Sequence, residues 1–179
     1  STTWSNHSGT LGEVDVLSGK VNLTENESED VNRLIPGQPF PLETNLYASF
    51  VLNMSSPPTG NFFAHFKDPT SGGLRCRVFG TTNGAAPGTY RLGIRNGSGS
   101  PADYLATDLN FFTDYTVVVR FRGSTNSTLW VNPNSESSPA QVTASDVPGN
   151  SFSGTVSFAL RQSNSGGGIG VMTIDDLKV

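Results

Sequence analysis

The chain has 179 residues and a formal net charge of −4, with charged side chains at only 15% of positions. Gly, Pro, Ser, Thr and Asn supply 86 of the 179 residues, which excludes a coiled coil or helical bundle rich in Ala, Glu, Lys and Leu. The weak negative charge offers no basic field for nucleic acid or an anionic membrane. A hydrophobic share of 35%, with 11 Phe, still suffices for a core.

In chain order, period-two alternation bounded by turn residues predicts strands over 11–17, 21–24, 45–54, 61–67, 74–80, 89–95, 115–122, 128–132, 141–144, 155–161 and 171–179. The polar, acidic stretch 25–38 reads as a long loop or a short helical turn. Ser/Gly/Pro/Asn clusters at 55–60, 96–101 and 163–168 read as turns. Strict alternation puts Val117, Val119 and Phe121 on one face, Val156, Phe158 and Leu160 on another, and Phe62, Ala64 and Phe66 opposite Phe63, His65 and Lys67. Short strands at intervals of about ten residues favour a two-sheet antiparallel sandwich. No run approaches the roughly 20 apolar residues that span a bilayer.

The lone Cys76 excludes an intrachain disulfide and reads as a small buried side chain. Six N-x-S/T sequons, at Asn6, Asn22, Asn26, Asn53, Asn96 and Asn126, are expected by chance in so Asn- and Ser/Thr-rich a chain. The start at Ser1, with no initiator Met or signal segment, suggests a piece of a longer exported protein.

The segments 47–53 (YASFVLN), 61–65 (NFFAH), 129–133 (LWVNP) and 174–179 (IDDLKV), with 29–33 (EDVNR) leading into the first long strand, carry a resemblance. Over roughly 13–179 the chain resembles exported bacterial modules with the concanavalin A-like, or laminin-G-like, jelly roll. The resemblance implies an all-β jelly-roll sandwich, one domain over 1–179 within a larger protein at the cell surface or outside the cell. That superfamily holds lectins, carbohydrate-binding modules, adhesion domains, glycosidases and polysaccharide lyases, so fold alone does not choose among them.

Several constellations could carry chemistry. Glu13 and Asp15 are two residues apart on a strand, about 6–7 Å at a rise of 3.3 Å per residue, near the carboxylate separation of retaining glycosidases. The third carboxylate of the laminarinase-type pattern is Ser18, so the set is incomplete. Lyase chemistry needs a His or Tyr base beside a cation. His65 lies on a strand, but the arginine and Gln-x-His signatures of jelly-roll alginate lyases are absent, and His7 falls in a segment read as frayed.

Six of the eight arginines lie on three successive predicted strands: Arg75 and Arg77, Arg91 and Arg95, Arg120 and Arg122. If those strands are neighbours, the six form one cationic face suited to bidentate capture of carboxylate or sulfate; otherwise they pair with Asp103, Asp108 and Asp114. Trp130 points away from Leu129 and Val131, either to stack on a sugar or to fill a second hydrophobic layer. Asp175, Asp176 and Asp30 are the candidate ligands of a structural Ca²⁺, as jelly-roll modules hold such ions near the chain ends. The expected function is non-catalytic, lectin-like binding of extracellular polysaccharide. The alternatives are a structural or adhesion spacer contacting another surface protein and, behind it, a hydrolase or lyase.

Overall fold

A computed structural model describes residues 3–70, 73–97, 103–122, 125–146, 154–163 and 168–179; the turns read at 98–101 and 164–167 lie outside them. No helix is assigned among the described residues, and none is long and apolar enough to cross a membrane. The strands are β1 (Ser5–Ser8), β2 (Asp15–Leu17), β3 (Lys20–Thr24), β4 (Asp30–Leu34), β5 (Leu46–Met54), β6 (Thr59–Lys67), β7 (Leu74–Thr81), β8 (Thr89–Arg95), β9 (Asp103–Tyr104), β10 (Leu109–Asn110), β11 (Asp114–Arg122), β12 (Asn126–Val131), β13 (Val142–Ala144), β14 (Ser157–Arg161) and β15 (Val171–Lys178).

They form two antiparallel sheets. The first runs β1-β4-β14-β6-β7-β8-β10, with β9 also paired to β8; the second runs β13-β12-β11-β5-β15-β3-β2. Neighbours such as β4 and β14, or β5 and β15, are far apart in sequence, so the chain crosses repeatedly between sheets. The inner faces meet through Phe50, Leu52, Val117, Val119, Phe121 and Ile174 from one sheet and Phe63, Phe66, Val78, Leu92, Ile94 and Phe158 from the other. Phe66 is central: its ring stacks on Phe121 at 5.8 Å and meets Phe158 edge-on at 5.1 Å.

Two departures from strict alternation decide what the outer face of the first sheet carries. On β6 the register to β7 shifts between Thr59 and Phe62, between Phe62 and Ala64, and between Ala64 and Phe66. These irregularities reset the side-chain phase, so Phe63, Ala64 and Phe66 all enter the core. Phe62, expected beside Ala64 and Phe66, instead pairs with Phe79 in a separate small cluster. On β7, Cys76 adopts a left-handed φ of 49°, and its N–H bonds to Asn96 O outside the regular ladder. Cys76 is fully buried, as expected, and burial pushes its thiol up to about 12.

The stretch 25–38, read as a loop or helical turn, contains β4. Its acidic, polar composition hid the strand because β4 lies between β1 and β14 with only Asp30 buried. The N-terminal segment is likewise paired, with Ser5 opposite Asn32 and Asn6 opposite Val31.

Candidate functional site

The six arginines do not share a face. β7 and β8 are neighbours in the first sheet, but β11 lies in the second, so Arg120 and Arg122 sit on the other side of the molecule. Arg91 is paired with Asp108, Nε to Oδ1 2.5 Å, as the alternative reading held, whereas Asp114 accepts from Asn53. Arg75 is fully buried, and the negative charges of Asp68 and Asp146 oppose the desolvation that lowers its pKa. Arg122 is 3.7 Å from Glu43 and exposed. Arg120 donates to Asn126 Oδ1 and Thr128 Oγ1, and its guanidinium lies 6.0 Å from the Trp130 ring centroid.

What the first sheet assembles is a different set of three: Arg77, Arg95 and Arg161. Register brings Arg77 opposite Arg95. Arg161, at the end of β14, reaches across to β6, where it donates to Asn61 Oδ1 at 2.9 Å. All three guanidiniums rest on two phenyl rings. Arg161 is 4.3 Å from the Phe62 centroid, Arg77 is 5.3 Å from Phe62 and 5.7 Å from Phe79, and Arg95 is 5.2 Å from Phe79. The rings themselves meet edge to face at 5.7 Å. The β6 irregularities that turn Phe62 outward therefore supply half of this floor.

These cations are sparsely compensated. Arg161 has Asp30 at 3.9 Å. Arg77 donates to Gly97 O, and Asp146, which acts on it at longer range, is occupied by the N–H groups of Asn96 and Gly97 at 2.7 and 2.9 Å. Among the described residues no carboxylate is within ion-pair distance of Arg77 or Arg95, and the Nε of each has no hydrogen-bond partner in the protein. Burial, then the positive charge of Arg95, lowers the Arg77 pKa to about 10.

Two histidines complete the cluster. His65 on β6 is fully buried, and neither ring nitrogen has a hydrogen-bond partner. Its ring meets Phe62 edge-on at 5.5 Å and His7 of β1 at 5.9 Å. Burial is the main cause holding the His65 pKa well below 6.5, followed by the charges of His7, Arg161, Arg77 and Lys67. His7 is lowered by burial and by Lys67. Asp30 accepts from Ser8 Oγ at 2.7 Å, and burial raises its carboxyl. Tyr104 of β9 lies over Gly93, where an added Cβ would sit 2.5 Å from Tyr104 Cδ1.

Sequence reasoning missed Arg161, His7, Phe62 and Phe79 as parts of one site. The available signal was modest: Arg161 closes a predicted strand, but only the β14–β6 pairing brings it to Phe62. Glu13 and Asp15 are exposed, with Asp15 on the sheet-edge strand β2. The expected calcium ligands do not converge, because β4 and β15 belong to different sheets. Asp30 faces Ser8 and Arg161, Asp175 is 3.9 Å from Lys20 Nζ, and the exposed Asp176 bonds through its N–H to the Asp175 carboxylate. Among the described residues no group of three or more His, Cys, Asp or Glu is arranged to hold a metal ion.

Trp130 is half-buried, its Nε1 donating to Ser138 O at 3.0 Å. With Tyr47, Ser49, Val118 and Lys178 it lines an open cleft of about 640 Å³ on the outer face of the second sheet.

No protein-family model and no curated protein matches this chain. Solved structures do. An alginate lyase from Pseudomonas aeruginosa superposes with a TM-score of 0.59 at 11% identity, over 90% of this chain and 82% of the other. A Corynebacterium alginate lyase gives 0.56 at 12% identity, over 93% and 78%. A Trypanosoma rangeli sialidase gives 0.56 at 10%, over 94% of this chain but only 26% of the sialidase. With two antiparallel sheets between which the chain crosses, these likenesses decide the architecture. The fold is a concanavalin A-like jelly roll. At such identities the likeness extends to the fold alone, and this jelly roll carries its chemistry in its own residues.

Proposed function

We propose that this jelly roll is an extracellular, lectin-like module that binds acidic polysaccharide, carboxylated or sulfated, on the Arg77–Arg95–Arg161 face without turning it over. The observation that carries this reading is a pair of half-buried guanidiniums, Arg77 and Arg95, side by side on an aromatic floor with no carboxylate in ion-pair reach among the described residues. Like charges held together away from water are relieved by an anion, and a planar guanidinium matches a carboxylate or sulfate bidentately. Phe62 and Phe79 keep the guanidiniums oriented through cation–π contact, worth on the order of 0.5–2 kcal/mol each. Alginate, named for two of the structural relatives, is itself an anionic polysaccharide.

A lyase reading has one observation in its favour, the neutral imidazole of His65 beside cations. Against it, His65 is wholly enclosed, with His7 and Phe62 against its ring, and presents no nitrogen to a docked sugar. A spacer role would leave the cationic cluster without use.

Affinity electrophoresis in gels containing alginate, carrageenan or neutral glucan tests the reading. The expected result is retardation by the polyanions at low salt, lost in neutral glucan and in Arg77→Gln/Arg95→Gln. Migration unaffected by any polyanion refutes it, and release of unsaturated uronate from alginate would convert it to the lyase reading.

A further inference from the structure

The pair formed by the buried His65 and the half-buried His7 is unexplained by anion capture alone. His65 leaves both ring nitrogens, and His7 its Nε2, without a partner inside the protein. A buried polar group in that condition is destabilising, so its retention calls for a reason. The groups around the pair come from every neighbouring strand. Lys67 lies on β6 itself, Arg77 on β7, Arg161 on β14 and Asp30 on β4, with Arg95 beside Arg77 on β8. Ser8 Oγ lies 3.3 Å from His7 Nδ1 and donates to Asp30. Glu29, next to Asp30, is occupied by Asn6 Nδ2 and the Val14 N–H.

Cations therefore outnumber carboxylates around two imidazoles that can each accept one more proton. The guanidiniums that oppose protonation of His65, Arg77 and Arg161, are the same ones an acidic sugar would neutralise. We propose that anion binding at the arginine cluster is coupled to proton uptake by the His7–His65 pair, so that the site grips acidic polysaccharide more tightly as its surroundings acidify. The inference rests on the anion-binding reading above and adds its regulation.

The sign follows from linkage. In the free protein both imidazoles are depressed and neutral near pH 7. A bound anion offsets the repulsion that Arg77 and Arg161 exert on His65, raising its depressed value although its burial remains, and the same added negative charge favours the proton on the adjoining His7. Protons enter on binding, and by reciprocity lower pH favours binding. Asp30 protonation, also encouraged by burial, acts in the same direction, so histidine variants are needed to isolate the pair.

The test uses a sulfated polysaccharide, carrageenan, whose own charge is constant across the range. Affinity is measured at fixed ionic strength between about pH 7.5 and 5.5, a window spanning the ordinary imidazole value. Calorimetry in two buffers of different ionisation enthalpy counts protons directly. The expected result is a gain of at least about fivefold on acidification with net proton uptake, bounded by tenfold per pH unit for each proton. His7→Gln, on an edge strand and readily checked for folding by circular dichroism, reduces both quantities, and His65→Gln reduces them further. Carrageenan binding that is independent of pH, without proton uptake, overturns this inference and leaves the anion-site reading standing. So does a pH dependence unchanged in His7→Gln. No binding at any pH overturns both.

Discussion

At the scale of single residues, three environments make distinct predictions. Phe66 is fully buried and contacts Phe121 and Phe158 across the sandwich. Phe66→Ala should lose about 3–5 kcal/mol of unfolding free energy in a urea titration. Gly93 is a different case, since the Tyr104 ring occupies the space a methyl would need. Gly93→Ala should cost about 1–3 kcal/mol and weaken polyanion binding by displacing Tyr104, which packs against the Phe62 and Phe79 rings that carry the guanidiniums. A loss of stability without any change in retardation would show that Tyr104 plays no part in the site. Cys76, buried with its thiol pushed up to about 12, should resist thiol reagents at mildly alkaline pH until the chain unfolds. Rapid labelling of the native protein would contradict the burial.

At the scale of elements, β1 and β6 decide the character of the site. The β6 irregularities send Phe62 outward while retaining Phe63, Ala64 and Phe66 in the core. β1 adds His7 through its pairing with β4. Both histidines are depressed below 6.5 in the folded protein, so below that pH the unfolded chain binds more protons than the folded one. Stability should therefore be level above about pH 6.5 and fall as pH drops below it. Asp30, raised by burial, opposes this with a single carboxyl against two imidazoles. Thermal unfolding from pH 7 to 5 without polysaccharide checks the sign. His65→Gln should flatten the profile, and a wild-type profile that rises on acidification would contradict it.

At the scale of the whole molecule, the two sheets divide the arginines into separate faces. Arg120→Gln/Arg122→Gln on the second sheet should leave polyanion retardation unchanged, in contrast to the pair on the first sheet. Equal losses from both pairs would mean that net charge, rather than the local cluster, governs binding. Added salt should weaken retention progressively, since the Debye length falls from about 10 Å at 0.1 M to about 3 Å at 1 M.

Much of the fold was legible in the sequence because alternation is a local property. The long strands β5, β7, β8, β11 and β15 follow from turn residues flanking period-two runs, and Val117, Val119 and Phe121 face inward as their spacing requires. β1 and β4 were not legible, because their residues are polar and their pairing is with distant segments. The arginine enrichment was visible as well, but its partition was not. By itself the sequence determined an all-β sandwich with scarce, clustered positive charge. Only the tertiary structure decided that β11 leaves the sheet of β7 and β8, that Arg161 replaces Arg120 beside Arg77, and that two histidines lie among the cations. The physical reason is that period-two alternation specifies which way a side chain points, whereas strand order and bulges specify what it meets.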